Sequence, residues 1–456
     1  MAKLAQPIIA ALRGRLGSSA ALLLPGDPGY ARGRTVWNAG IDRHPAAILR
    51  CADAQEVARA VQIAAEHGIA VTVRGGGHNV AGRCAANGAL LLDLSRMRGV
   101  EVNADHALAT AQGGALWDDM DTVTQQFGMA TTGGMVSTTG VGGLSLGGGA
   151  GWLMRRHGLA IDNLKAVEVV LADSRIVRAS ADEHPDLFWG LRGGAGGLGV
   201  VTRFEFRIHP LTHVLAGLVV RPANAAAEVL REFREFTARA PDEFCAMTLF
   251  AHAPPLPFLD PQWHGRPVVI SALCWCGDLA IGERVLEPLR RFGSPLGEHT
   301  GPMPYLAWQH LLDAGAPAGR YHYWKTANFA SLEESTIDTL AAAAEELPTV
   351  ETEIHVQHLG GAVARVAAGE TAFSNRSAAY FVNLIGTTSA AAKFDALRDG
   401  VRRLHARLAR RALPGLLPNF SNQDDGLVAT QFDASHAQRL EALRRQYNGS
   451  GLFAVV

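Results

Sequence analysis

Glu353, His355 and Gln357 alternate along a β-like run at residues 352–357, which sets three polar side chains on one strand face and Ile354 and Val356 on the other. A carboxylate and an imidazole on one strand face are residue types able to take up a proton, so Glu353 and His355 are candidate catalytic residues. A solvated strand face is the competing reading and carries equal weight. A second run, residues 320–326, sets Tyr321, Tyr323 and Lys325 on one side and His322 and Trp324 on the other. Paired tyrosines can polarise a phenol or alcohol, but tyrosines in strands also serve as plain cross-strand packing, so they rank second.

The other chemistry-bearing signal is glycine. The chain has 50 glycines, concentrated in clusters at residues 75–77, 140–151 and 193–199. Such clusters remove side chains where backbone N–H groups can reach phosphate oxygens, the basis of a nucleotide diphosphate cradle. For any one of them alone, a tight turn is the better reading. His78 follows Gly75, Gly76 and Gly77, so its imidazole sits on backbone that can approach a flat ligand closely. Gly194, Gly196 and Gly199 satisfy G-x-G-x-x-G, but a helix-like segment precedes them and an alternating strand, residues 200–206, follows. A dinucleotide fingerprint needs the reverse order, which argues against a nicotinamide dehydrogenase.

The elements that must hold these residues are legible in outline. Residues 53–68 read as a helix capped by Asp53, with Glu56 three positions on and Gly68 as the stop. A strand at 69–73 feeds the glycine loop, 89–94 reads as another strand, and 167–179 as a β-hairpin. After Pro210, Ala/Leu/Arg/Glu helical stretches such as 225–239 alternate with β-like runs such as 267–272 and 352–357, which predicts a separate antiparallel sheet with helices on it.

Composition narrows the classes. A chain of 456 residues exceeds the roughly 100 to 200 residues of one domain, and 48% apolar with 19% charged residues suits a folded interior. Lys+Arg 42 against Asp+Glu 43 removes the electrostatic case for nucleic acid or anionic membrane and favours a small-molecule partner. No apolar run reaches the roughly 20 residues of a membrane span, and the N-terminal stretch lacks a convincing secretory pattern. Five scattered cysteines give neither a disulfide framework nor a metal site, so a cytoplasmic location is expected.

Taken in order, VTVRGGGHNVAG, LDLSRM, TTGGMVSTTGVGGLSLGGGAGWLMRRHGLAIDNL, DLFWGLRGGAGGLGVVTRFEF and HLGGAVARV resemble the FAD-linked oxidases of the berberine-bridge-enzyme type, within the vanillyl-alcohol-oxidase/PCMH flavoprotein superfamily. The resemblance implies an α+β, two-lobed fold: a PCMH-type FAD-binding domain at residues 37–209, an antiparallel-sheet substrate domain with helices on one face at 210–414, and a segment at 415–456 returning to the first lobe. It implies FAD bonded to His78 through the flavin 8α-methyl group. Arg74, Gly75, Gly76, Gly77, Asn79 and Gly82 would line the pyrophosphate and ring on one side. Thr139, Gly140, Gly142, Gly143, Gly147, Gly148, Gly149 and Val201 would close the other, and Asn419 matches a late asparagine that approaches the flavin.

Many relatives add a second bond from a cysteine where this chain has Val136, so single attachment is expected. The polar face bearing Glu353 and His355 would look at the flavin, since relatives carry a proton-accepting or orienting residue on that strand. The function implied is an oxidase passing hydride from a small alcohol, phenol, sugar or alkaloid-like molecule to flavin, with dioxygen returning it to the oxidised state as peroxide is released. Thr139 beside a singly attached flavin is also similar to the enterocin-pathway flavoprotein, so an oxygenase of secondary metabolism stays open.

Overall fold

The computed structural model describes residues 4–16, 21–422, 424–425 and 432–454. Three sheets carry the architecture. The first joins Ala21–Leu23, Ala47–Arg50, Leu90–Asp93 and Val71–Arg74 in that order; the last three strands are parallel and the first runs antiparallel. The Ala54–Glu66 helix makes the crossover, and Asp53 caps it by accepting from the Glu56 amide at 2.7 Å. Its apolar stripe, Val57, Val61 and Ala64, is fully buried, as burial of a strand-flanking helix face requires.

The second sheet, Val100–Asn103, Leu108–Gln112, Val200–Arg207, Leu164–Val170 and Ile176–Ser180 in spatial order, is antiparallel. The expected hairpin is its last pair, turning through Ser174 at φ 66°. The Pro185–Leu191 helix precedes the last glycine cluster and the Val200–Arg207 strand follows it, so the order stays opposite to that of a dinucleotide fingerprint.

The third sheet has seven antiparallel strands, in the order Gly297–Pro304, His213–Pro222, Pro267–Trp275, Phe244–His252, Glu353–His358, Tyr380–Thr388 and Tyr321–Phe329. Its two faces bury different partners. Phe250, Val269, Tyr323, Ile354, Val356 and Leu384 pack beneath helix residues Leu230, Phe233, Leu286, Ile337, Leu340, Val401 and Leu408. Met247, Leu249, Ile270 and Phe381 pack instead against Trp152, Leu153 and Ile161 of the N-terminal lobe. Strand alternation therefore decides which residues look into the space between the lobes.

Both chain ends join the first lobe. Leu12 and Leu16 pack against the Ala54–Glu66 helix. Leu440 and Leu443 of the Ala434–Tyr447 helix join the core around Leu187 and Trp189, and Phe453 lies parallel to Val71, whose amide donates to the Leu452 carbonyl at 2.7 Å. Among the described residues no helix is long and apolar enough to cross a membrane.

Candidate active site

The Val71–Arg74 strand ends in the 75–77 turn, and the 140–149 turn comes up against it with no side chain between them. A Cβ on Gly76 would stand 2.5 Å from the Gly140 nitrogen, and one on Gly140 would stand 2.4 Å from the Gly76 nitrogen. A Cβ on Gly75 would stand 3.0 Å from the Gly113 carbonyl oxygen, and one on Gly142 would stand 3.1 Å from the same atom. A Cβ on Gly113 would in turn stand 2.5 Å from the Val201 carbonyl oxygen, so Val201 bears on the cradle through its backbone. Gly113 was not singled out from sequence; the Gly113-Gly114 pair closing a strand was the available signal.

The remaining cradle glycines divide by what fills the missing side chain. Gly82 packs on Ile41, Gly147 on Asn419, Gly148 on Phe373, and Gly149 on Ala160 and Leu144; Gly77, Gly82, Gly148 and Gly149 also hold positive φ. Protein packing or backbone conformation explains glycine at those positions. Gly143 differs: nothing lies within 4 Å of where its Cβ would be. A bare backbone beside open space is what close approach of a ligand requires.

Asn419 fastens the late segment onto this turn. Its Nδ2 donates to the Leu144 carbonyl at 2.8 Å and its Oδ1 accepts from the Gly149 amide at 3.0 Å. Asn79 donates to the Asn419 carbonyl at 3.5 Å and accepts from the Ala81 amide. Arg74 is committed elsewhere, to buried Asp93 at 2.7 Å and the Thr35 carbonyl at 3.2 Å, so it braces the loop from behind. Thr139 accepts from the Trp117 amide through its carbonyl and donates its own amide to the Val136 carbonyl. Beside it, Asp313 accepts from the Ser137 amide at 2.8 Å and hydroxyl at 2.6 Å, and from His310 at 2.8 Å, which ties the two lobes at this turn.

His78 is half-buried, and its Nε2 is enclosed with no hydrogen-bond partner. Burial pushes its imidazole down to about 4, against weaker upward pulls from its own backbone and Asp313, so the ring is neutral near pH 7 with a free lone pair. Trp37 stacks on it with centroids 4.4 Å apart, and His322 stacks on the far face of Trp37 at 3.8 Å. Trp37, His322 and Trp324 escaped sequence reasoning as site residues. Trp37 lies forty-one positions before His78, and nothing in its neighbours in sequence marks it.

Across the cleft, the sheet face turned to the N-terminal lobe carries rows of directly opposed residues: His322 with Thr387, Trp324 with Ile385 and Glu353, Thr326 with Asn383 and His355, and Asn328 with Phe381 and Gln357. His355 Nε2 lies 2.7 Å from Glu353 Oε2, a carboxylate–imidazole pair. The Thr326 hydroxyl, Asn383 Oδ1, Gln357 Oε1 and His322 Nε2 are enclosed and have no protein partner. A folded protein rarely leaves four such groups together unsatisfied unless a ligand or water meets them.

The structure corrects the reading of the tyrosines. Tyr321 and Tyr323 occupy the helix-covered face; Tyr323 Oη donates to Asp424 at 2.6 Å and accepts from Arg402 at 2.8 Å, and Tyr321 packs near Phe394. The alternation was legible, and the side chosen for the cleft was wrong: His322 and Trp324 face it.

The open space at Gly143 beside close-packed glycine turns, with the enclosed His78 nitrogen nearby, fits FAD, a long ligand whose diphosphate needs bare backbone. The FAD binding domain family matches residues 45–180. The chain is similar to (R)-6-hydroxynicotine oxidase of Paenarthrobacter nicotinovorans, 27% identical over 451 residues that cover 95% of this chain and 94% of the relative. The crystal structure of 6-hydroxy-D-nicotine oxidase from Arthrobacter nicotinovorans matches with TM-score 0.85 at 26% identity, over 99% of this chain and 98% of the other. Glucooligosaccharide oxidase from Acremonium strictum, described with a 6-S-cysteinyl, 8α-N1-histidyl FAD, shares the fold with TM-score 0.84 at 22% identity, over 98% and 97%. The chain carries an FAD binding domain, is an FAD-dependent oxidoreductase, and is similar over nearly its whole length to flavoprotein oxidases.

Proposed function

We propose that the protein is an oxidase that carries FAD bonded to His78 alone, takes hydride from a small polar organic molecule and delivers the electrons to dioxygen as hydrogen peroxide. The observation that carries this reading is the enclosed, unpartnered Nε2 of a neutral His78 at the mouth of a glycine cradle. Val136 offers no sulfur for a second bond, so attachment is single. Bound there, FAD supplies the hydride acceptor and the route to dioxygen.

The chain's own residues do the rest. Gly143 gives the diphosphate bare backbone, close packing of Gly75, Gly76 and Gly140 shapes the turns around it, and Asn79 and Asn419 hold the late segment over the cradle. His355, oriented by Glu353, takes the substrate's O–H proton, and Thr326, Asn383 and Gln357 hydrogen-bond the substrate's polar groups. Alcohols, phenols, sugars and alkaloid-like molecules all meet that requirement. The five unpaired thiols support a reducing compartment.

The reading is tested by screening such compounds under air and measuring peroxide. Stoichiometric peroxide, with no label in the product under ¹⁸O₂, is the expected result. Label retained in the product would replace the oxidase with an oxygenase.

A further inference from the structure

We infer that Trp37 is the positioning residue for flavin attachment, its indole face holding the His78 imidazole in the plane from which the bond forms. The inference rests on the covalent reading above and adds to it the means by which this chain aims its nucleophile.

Among the described residues no side chain hydrogen-bonds the His78 ring; its only polar contact is with its own backbone, and Nε2 has none. A histidine fixed for reaction usually has a carboxylate or carbonyl on its second nitrogen, and here that means of orientation is missing. Stacking takes its place. Trp37 lies 4.4 Å from His78 at an interplanar angle of 19°, and His322 backs Trp37 at 3.8 Å and 12°. Trp324 closes the edge of Trp37 at 5.5 Å and 70°.

The indole itself cannot swing. Its Nε1 donates to the Ala316 carbonyl at 3.0 Å, its amide to the Gly77 carbonyl at 3.1 Å, and its carbonyl accepts from the Gly319 amide at 2.9 Å. The next residue, Asn38, bonds both the Val80 carbonyl, at 2.7 Å, and the His322 carbonyl, at 3.0 Å. The column therefore spans both lobes and is anchored at every layer except the last, the imidazole. With the ring's plane set, rotation about χ2 is confined and the free nitrogen keeps one direction. That is the condition for a near-attack geometry, where displacement of about 1 Å costs on the order of 100-fold in rate.

Attachment exchanges one hydrogen of the 8α-methyl group and the imidazole N–H for an N–C bond. The two protons and two electrons released pass to dioxygen, giving hydrogen peroxide. Trp37 takes part in none of these transfers, so its loss should slow bond formation and spare the non-covalent cradle.

The test uses full-length apoprotein of wild type, Trp37→Leu and Trp37→Phe, reconstituted with FAD under air. Total flavin is read from the native protein and attached flavin from intact mass after denaturation, over time. Leucine keeps apolar bulk without a stacking face; phenylalanine restores the face without the indole N–H. The expected result is FAD bound by all three, attachment at least 10-fold slower in Trp37→Leu, and most of the rate restored in Trp37→Phe. Attachment at the wild-type rate in Trp37→Leu, or equal slowing in both variants, would overturn the inference. Should Trp37→Leu fail to fold, His322→Ala decides, because it removes the backing ring, together with its contact to the Thr387 hydroxyl, and leaves Trp37 in place: slowed attachment with FAD still bound supports the inference, and an unchanged rate overturns it. Wild-type protein that never gains the mass of FAD would instead remove the covalent reading itself.

Discussion

Gly76→Ala and Gly143→Ala should fail in opposite ways. At Gly76 the new methyl would meet the Gly140 nitrogen at 2.5 Å and its Cα at 2.7 Å. Both are backbone atoms, so relief requires the two turns to part by about 0.8–1 Å to reach the usual carbon contact of roughly 3.5 Å. Overpacking of this kind costs about 1–3 kcal/mol, which lowers Tm by roughly 2 to 12 °C for a unit of 150–250 residues. At Gly143 there is nothing to meet, and replacing glycine within the Val141–Leu146 helix is worth about 0.5–1 kcal/mol in the other direction. Gly143→Ala apoprotein should therefore melt at or slightly above the wild-type temperature and yet hold FAD poorly. The assay is thermal unfolding of flavin-free protein beside FAD titration of each variant. A Gly76→Ala apoprotein as stable as wild type, or a Gly143→Ala variant that binds FAD normally, would refute the division into packing glycine and ligand-facing glycine.

Other consequences follow from the same geometry. His355→Ala should keep its flavin while anaerobic flavin reduction by substrate, read by stopped flow, slows by about 10²–10⁴, the usual worth of a positioned base. Tyr323→Phe should leave that reduction rate unchanged, because its hydroxyl serves Asp424 and Arg402 behind the sheet. Asn419→Ala strands the Gly149 amide and the Leu144 carbonyl, and should cost about 1–3 kcal/mol of stability, read by denaturant titration. Burial lowers His78 and His209 to about 4, and His157, His322 and His358 to about 3, from an ordinary 6.5. Between those values and 6.5 the unfolded chain binds more protons, so their contribution is intact above pH 6.5 and is lost as pH falls toward 4 and 3. Asp121, raised to about 7 by burial, acts oppositely: its contribution is present below about 3.8 and lost as pH rises to 7. With five histidines against one carboxyl, Tm of the apoprotein should fall from pH 7 to pH 5.

Local chemistry made much of this legible beforehand. Asp53, Glu56 and Gly68 mark a helix because caps and stops act on neighbours a few residues away, and the structure places it at Ala54–Glu66. The reversed order around Gly194 was likewise readable, since helix and strand periods are local. Alternation told which residues of 320–326 share a face, but which face meets the other lobe depends on where helices such as Phe394–Ala409 pack, and that is decided by contacts far apart in sequence. Trp37 stayed hidden for the same reason: its partners His78 and His322 come from loops and strands that only the assembled lobes bring together. Gly82 and Gly149 carried the resemblance, yet their bare backbone is explained by Ile41, Ala160 and Leu144.

The covalent tether at His78 is tested most directly by the intact mass of the purified, denatured wild-type protein beside His78→Ala. One added FAD is expected on the first and none on the second, with His78→Ala still folded. Flavin released from the denatured wild type, or still bonded after His78 is removed, would contradict it.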